Sequence, residues 1–214
     1  MKKAIGIAAT ALAGWIAAGG AAHACGTGPL LYQDKFQTLD PAWNAGPNVT
    51  ASSGAMDITI AKGSAATLIS QANLYNQPAI EICATVKMVS GPGNSGDSAV
   101  AGLLFWSDTP DDYTISEIAP ASGSSAVWLH TVKGFEQRVA WRTVPGLNAA
   151  VGGTNDLDVV VKGPHAVFSA NGKPAVVTIG IPPASGWMAG MHLEAPGSGP
   201  TEWQVTDFEV RVAQ

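Results

Sequence analysis

After residue 50 the apolar residues come in runs of four to nine, rich in Val, Ile, Thr and aromatics and bounded by Gly, Pro, Asn or Asp. No stretch holds a 3.6-residue period long enough for a helix. The pattern predicts strands over 55–60, 66–71, 79–89, 99–107, 113–118, 126–133, 136–142, 156–162, 165–170, 174–179, 187–194 and 202–212. So many short strands without a repeat or a linker imply one all-β domain, a two-sheet antiparallel β-sandwich of the jelly-roll kind.

Two hairpins can be placed in register. In "VFSANGKPAVV" the Asn171-Gly172 pair is the signal of a type I′ turn, whose two central residues both need positive φ. It predicts Ala170 opposite Lys173 and Phe168 opposite Ala175. In "AVWLHTVKGFEQRVAWR" a two-residue turn at Gly134-Phe135 sets Lys133 against Glu136 and, counting back, Trp128 opposite Trp141.

The amino terminus changes the picture of where the chain works. Lys2 and Lys3 precede an Ala-rich apolar run from Ala4 to about Ala18, and "AHA" at 22–24 offers the small residues of a signal-peptidase site. Residues 1–24 read as a signal peptide and 25–214 as the mature domain, exported to the periplasm or beyond. No later segment approaches the ~18 apolar residues of a membrane helix. Removing Lys2 and Lys3 with the leader leaves nine basic against sixteen acidic residues, which argues against nucleic acid as a partner. The two cysteines, Cys25 and Cys83, allow one connectivity in an oxidising compartment, a Cys25–Cys83 disulfide. Cys25 directly after the cleavage point also permits lipidation, but Ala22 and His23 depart from the usual lipoprotein signal.

The stretch "DKFQTLDPAW" at 34–43 has neither helical period nor long alternation. Its Asp34, Phe36, Leu39, Asp40, Pro41 and Trp43 resemble the opening of bacterial concanavalin A-like lectin/glucanase domains, including LamG-like jelly rolls and the 3-keto-disaccharide hydrolase-like family. Physically, Phe36 would anchor a short strand, Pro41 stop it and Trp43 cover the sandwich edge. The resemblance continues through "AGLLFWSDTPDDYTISEI", "NDLDVVVKGPHAVFSANGKPA", "GWMAG" and "VTDFEV". It implies a concanavalin A-like sandwich and glycan recognition, on a fold that hosts lectins, glycosidases, lyases and adhesion modules alike.

Candidate chemistry is sparse. Retaining glucanases of this fold carry Glu-x-Asp-x-x-Glu on one strand, and this chain has no such motif. Glu117 in "ISEIAPAS" is the nearest acidic strand residue, and Asp156 and Asp158 in "NDLD" suit solvation or capping. His192 and Glu194 in "WMAGMHLEAP" stand two apart on one strand and share a face, where they could do acid/base work, bind a metal or simply meet solvent. No cofactor is expected, although Asp108, Asp111 and Asp112 in "SDTPDDY" could gather around calcium in place of forming a plain polar turn.

Six tryptophans follow the leader, and sugar C–H faces stack well on indole rings. Trp128, His130 and Trp141 share one face in the register above, with Trp106 as a neighbour. They form either a glycan platform or part of the core. The sequence thus reads as an exported carbohydrate-binding or surface-interaction protein without catalysis. The alternatives are a glycoside hydrolase or lyase acting on a modified disaccharide, with His192, Glu194 and Glu117 as candidates, and a structural envelope protein with no sugar ligand.

Overall fold

The computed structural model describes residues 25–92 and 98–214. The leader expected over 1–24 lies outside the described residues. Fourteen strands are present among them: β1 (Leu30–Asp34), β2 (Val49–Ser52), β3 (Ala55–Ile60), β4 (Ala65–Tyr75), β5 (Ala79–Ser90), β6 (Val100–Thr109), β7 (Asp112–Ala119), β8 (Ser124–Thr131), β9 (Gly134–Thr143), β10 (Thr154–Lys162), β11 (His165–Ala170), β12 (Lys173–Ile179), β13 (Trp187–Glu194) and β14 (Thr201–Val212). One short 3₁₀ turn, Pro120–Ser122, joins β7 to β8.

The strands form two antiparallel sheets. The larger runs β12-β11-β10-β5-β14-β3-β2 with β1 also on β14, and the smaller runs β4-β13-β6-β7-β8-β9. The core between them follows the period-2 rule. Ile80, Ile82, Ala84 and Val86 of β5 and Leu157, Val159 and Val161 of β10 meet Ala101, Leu103 and Phe105 of β6 and Ala189, Met191 and Leu193 of β13. The intervening residues of each strand therefore point away from the core, and on the smaller sheet that outer face carries the site.

The twelve expected strands are all present. β1 and β2, which escape the pattern, are short, and much of β1 is only half-buried. The opening motif is built differently from expectation. β1 ends at Asp34, and Phe36 follows it at φ 48°, outside any strand. Asp34 organises the stretch, accepting the Phe36 N–H at 2.7 Å and the Trp43 indole N–H at 2.8 Å. Trp43 is buried in the core, edge-on to Phe208 at 5.0 Å, so it does not cover the sandwich edge.

One expected hairpin register holds in part and the other does not. Asn171 and Gly172 take φ 51° and 71°, and Ala170 faces Lys173 as the turn requires. A bulge between Phe168 and Ser169 then sets Phe168 against Val176, not Ala175. In the other hairpin the turn is Val132-Lys133, because Thr131 pairs with Gly134 and the positive φ of 100° falls on Gly134 after the turn. Trp128 consequently faces Gln137 and not Trp141.

The Cys25–Cys83 disulfide is present, with Cα atoms 5.5 Å apart, and it pins the start of the described chain to β5.

Candidate functional site

Three adjacent strands of the smaller sheet, β13, β6 and β7, align His192, Gly102 and Glu117 in one row. Gly102 is the reason the outer two can meet. A Cβ there would stand 2.7 Å from the Glu117 Cβ and 2.7 Å from the Ser116 carbonyl oxygen. Lacking one, β6 leaves the space through which Glu117 approaches the His192–Glu194 pair. The ligand atoms of Glu117, His192 and Glu194 lie within 4.8 Å of one another. A glycine inside a strand is the sequence signal of such an approach, and "AGLLF" carried it unread.

Each group is fixed by named partners. His192 is buried at 1% exposure, with Nε2 2.8 Å from Glu194 Oε1 and Nδ1 2.9 Å from Thr67 Oγ1. The solvated-face reading of His192 is therefore corrected: β4 covers the ring from one side, while Glu194 stays partly open at 41% exposure. Glu117 is buried, and its Oε1 accepts the Trp128 indole N–H at 2.5 Å. Burial raises its carboxyl to about 8, the neighbouring Glu194 charge adds to the rise, and the Trp128 bond opposes it. A carboxylic acid that keeps its proton near neutral pH can donate it.

Above these groups opens a cleft of ≈ 600 Å³, walled by Trp128, Phe135 and Trp141 with Glu117 and Glu194 among its lining. Phe135 and Trp141 are substantially exposed, at 53% and 40%. The two tryptophans share a cleft although they do not pair with each other. β9 carries two irregularities against β8, one between the pairs Val127/Trp128 and one between Ser125/Val127. One bulge turns the following side chains to the opposite face, and the second restores them. Phe135 is the wall residue that sequence reasoning missed, since the expected turn placed it at the hairpin tip.

The other candidates lie apart. His130 stacks on Tyr113 at 4.7 Å and meets Phe135 at a tilt with ring centroids 4.5 Å apart, its Nδ1 3.1 Å from the Asp111 carbonyl oxygen, so it touches a wall residue without lining the cleft. Trp106 is buried at 5% exposure with φ 52°, edge-on to Phe105, and lines a second cleft of ≈ 700 Å³ formed with the Ile179–Ala184 segment. It does not adjoin Trp128. Asp108, Asp111 and Asp112 do not gather: Asp108 and Asp112 line the second cleft, and the Asp111 backbone is held to Thr109 Oγ1 and His130. The calcium expectation for that turn is accordingly withdrawn. Asp156 accepts the Thr85 hydroxyl at 2.7 Å, an outer-face pairing far from the cleft.

No family model and no curated protein matches the chain. Solved structures do. A Bacillus subtilis protein of unknown function with a galectin-like fold matches at TM-score 0.62 and 12% identity, covering 87% of this chain and 98% of its own. A Bacteroides ovatus mixed-linkage-glucan GH16 protein, solved with an oligosaccharide product, matches at TM-score 0.62 and 9% identity over 85% and 100%. The carbohydrate-binding module CBM66 from Bacillus subtilis matches at TM-score 0.53 and 10% identity over 85% and 96%. At these identities the likeness establishes the fold, a concanavalin A-like β-sandwich.

Proposed function

We propose that the chain is an exported glycan-binding protein whose site is the cleft on the outer face of the smaller sheet. The observation that carries the reading is the combination of exposed aromatic walls, Trp141 and Phe135, with a polar floor at Glu117 and Glu194. Aromatic faces suit the apolar faces of pyranose rings, while carboxyl oxygens accept from their hydroxyls. The saccharide-related structural neighbours, the disulfide and the Ala-rich leader support a protein that meets glycans outside the cytoplasm. Glycan-array binding of the mature protein, repeated with Trp141→Ala, tests it. Specific binding lost in the variant is expected, and an array with no hits beyond background would remove the reading.

A second reading, turnover of the bound glycan, is favoured by one observation: the Glu117 carboxyl, raised by burial to about 8, stands beside the Glu194 carboxyl. A carboxyl that holds its proton near neutral pH beside a second carboxyl is what glycosidic bond cleavage uses. Here they come from β7 and β13, not from the one strand that the glucanase motif uses, so unmodified β-glucans are not the expected substrate. A modified disaccharide is the substrate class this reading keeps. Incubation with such sugars, scored by new reducing ends in wild type and in Glu117→Gln, separates binding from turnover.

A further inference from the structure

We propose that Glu117, His192 and Glu194 form a binding site for one divalent transition-metal cation, with the remaining coordination open to the cleft. Three observations converge. The three side chains present one imidazole nitrogen and two carboxylate oxygens within 4.8 Å of one another. His192 is held at Nδ1 by Thr67 Oγ1 at 2.9 Å, which orients the ring and turns Nε2 toward the carboxyl groups. Such a bond to the far ring nitrogen is what fixes a ligating histidine. Finally, Glu117 is a side chain buried to 3% exposure whose carboxyl lines an open cavity. No Lys or Arg stands among the described residues that line this cavity, so its floor offers two carboxyl groups to an incoming cation.

The donor set selects among metals. An imidazole with two carboxylates suits Zn²⁺, Mn²⁺ or Fe²⁺, whereas Ca²⁺ and Mg²⁺ take oxygen ligands alone. Three protein ligands with an open position is also the pattern of a site that admits water or a substrate oxygen. The geometry needs one adjustment. His192 Nε2 and Glu194 Oε1 stand 2.8 Å apart, and tetrahedral ligation at bonds of ~2 Å would open them to roughly 3.3 Å. Glu194 is partly exposed and can make that movement, while buried Glu117 and His192 stay in place. Gly102 leaves the room between the strands, because no side chain of β6 stands in the row.

The test uses the tag-free mature protein, stripped with a chelator and titrated with Zn²⁺, Mn²⁺ or Ca²⁺ alone by calorimetry and by thermal unfolding. No sugar is present, so the result is independent of the glycan reading. One equivalent of Zn²⁺ or Mn²⁺ is expected to bind and raise the melting temperature, with Ca²⁺ producing neither effect. Glu194→Gln, at a partly exposed position that folding tolerates, should weaken binding at least ~10-fold, and Glu117→Gln should do the same. Thr67→Val, which removes the partner of Nδ1 together with a 3.5 Å contact to the Tyr113 hydroxyl, should cost about 10- to 100-fold. His165→Gln on the far sheet is the control and should change nothing. Absence of saturable binding by any of the metals overturns the proposal. So does affinity that survives in both Glu194→Gln and Glu117→Gln, since the cation would then sit elsewhere.

Discussion

Both sheets bury acidic groups on their outer faces, and they dispose of them in opposite ways. On the larger sheet Asp158, Cys83 and Glu209 stand in one row across β10, β5 and β14, with Glu81 beside them. The chain closes over this cluster itself. The Gly26 N–H bonds Glu81 at 3.0 Å, the Gln33 amide bonds Glu209 at 2.5 Å, and Arg211 pairs with Glu209 at 2.7 Å. On the smaller sheet Glu117 has an indole N–H and Glu194 an imidazole, and the space above them is a cleft. The contrast teaches how to read buried charge. Acids answered by backbone, Arg and a covalent closure are architecture, while acids that face open aromatic-walled space are candidates for chemistry.

The first cluster can be broken at its closure. The bridge links residues 58 apart, and the chain-entropy account of such a loop gives a stabilisation of about 4 kcal/mol. The double variant Cys25→Ala/Cys83→Ala should lose about that much in a denaturant titration at constant m-value. Glycan affinity of the folded fraction should not move, because the bridge and the cleft lie on different sheets. A loss in affinity that tracks the loss in stability would join what the comparison separates.

The second cluster can be broken at Gly102. Gly102→Ala places a methyl 2.7 Å from both the Glu117 Cβ and the Ser116 carbonyl oxygen, and the latter is backbone that cannot swing aside. Overpacking of this kind costs about 1–3 kcal/mol. It should also push Glu117 from the Trp128 N–H and shift the indole fluorescence, with loss of whatever the cleft binds. An unchanged emission spectrum would mean that the row tolerates a side chain and that the glycine has no part in the site.

The two regions were unequally legible in the sequence. The inter-sheet core was readable because burial alternates without a break in β10 and apolar residues recur at every second position from Ile80 to Met88 in β5, and period 2 fixes which residues face inward. The bridge was readable because two cysteines allow a single connectivity. The cleft was half readable. His192 and Glu194 share a face by simple counting, but nothing local says that Glu117, three-quarters of a hundred residues earlier, lies across a glycine from them. That depends on strand order. Trp141 keeps the face of Gln137, four residues earlier, because the two bulges in β9 cancel; what they change is its pairing partner, and bulges leave no signal in an alternation that they interrupt. The Gly134 turn misled for a related reason: one glycine fits either the first turn position or the residue after the turn, and the two choices shift the whole register.

A pH titration of stability sharpens the contrast within the larger sheet. Burial, aided by the Glu81 charge, raises the Asp158 carboxyl from 3.8 to about 7. Below 3.8 both folded and unfolded chains hold this proton and the contribution to stability is complete. Between 3.8 and about 7 the folded chain alone retains it, so stability falls as pH rises and the contribution is gone above that window. Asp158→Asn should flatten the slope across the same interval, read from chemical denaturation at several pH values. A slope that persists in the variant would assign the linkage to another group and make this cluster less closed than its contacts suggest.

The smallest effect on the fold, and the most discriminating for the cleft, is expected at Trp141. The ring is 40% exposed on β9, so Trp141→Ala should change stability by less than about 1 kcal/mol. If the ring stacks on a sugar, the same substitution removes an aromatic contact of about 0.5–1.5 kcal/mol from binding, a drop of roughly 2- to 10-fold in affinity. Trp141→Tyr retains a flat face and should recover much of it. Trp128 behaves otherwise, since its indole N–H holds Glu117: Trp128→Phe keeps the ring yet leaves a buried carboxyl without its donor, and stability should fall with affinity. A wall residue and a floor-holding residue are thus told apart by whether binding and stability move together. Should Trp141→Ala lower stability as strongly as Trp128→Phe, the ring is packed, not presented, and the cleft loses its outer wall as a sugar platform.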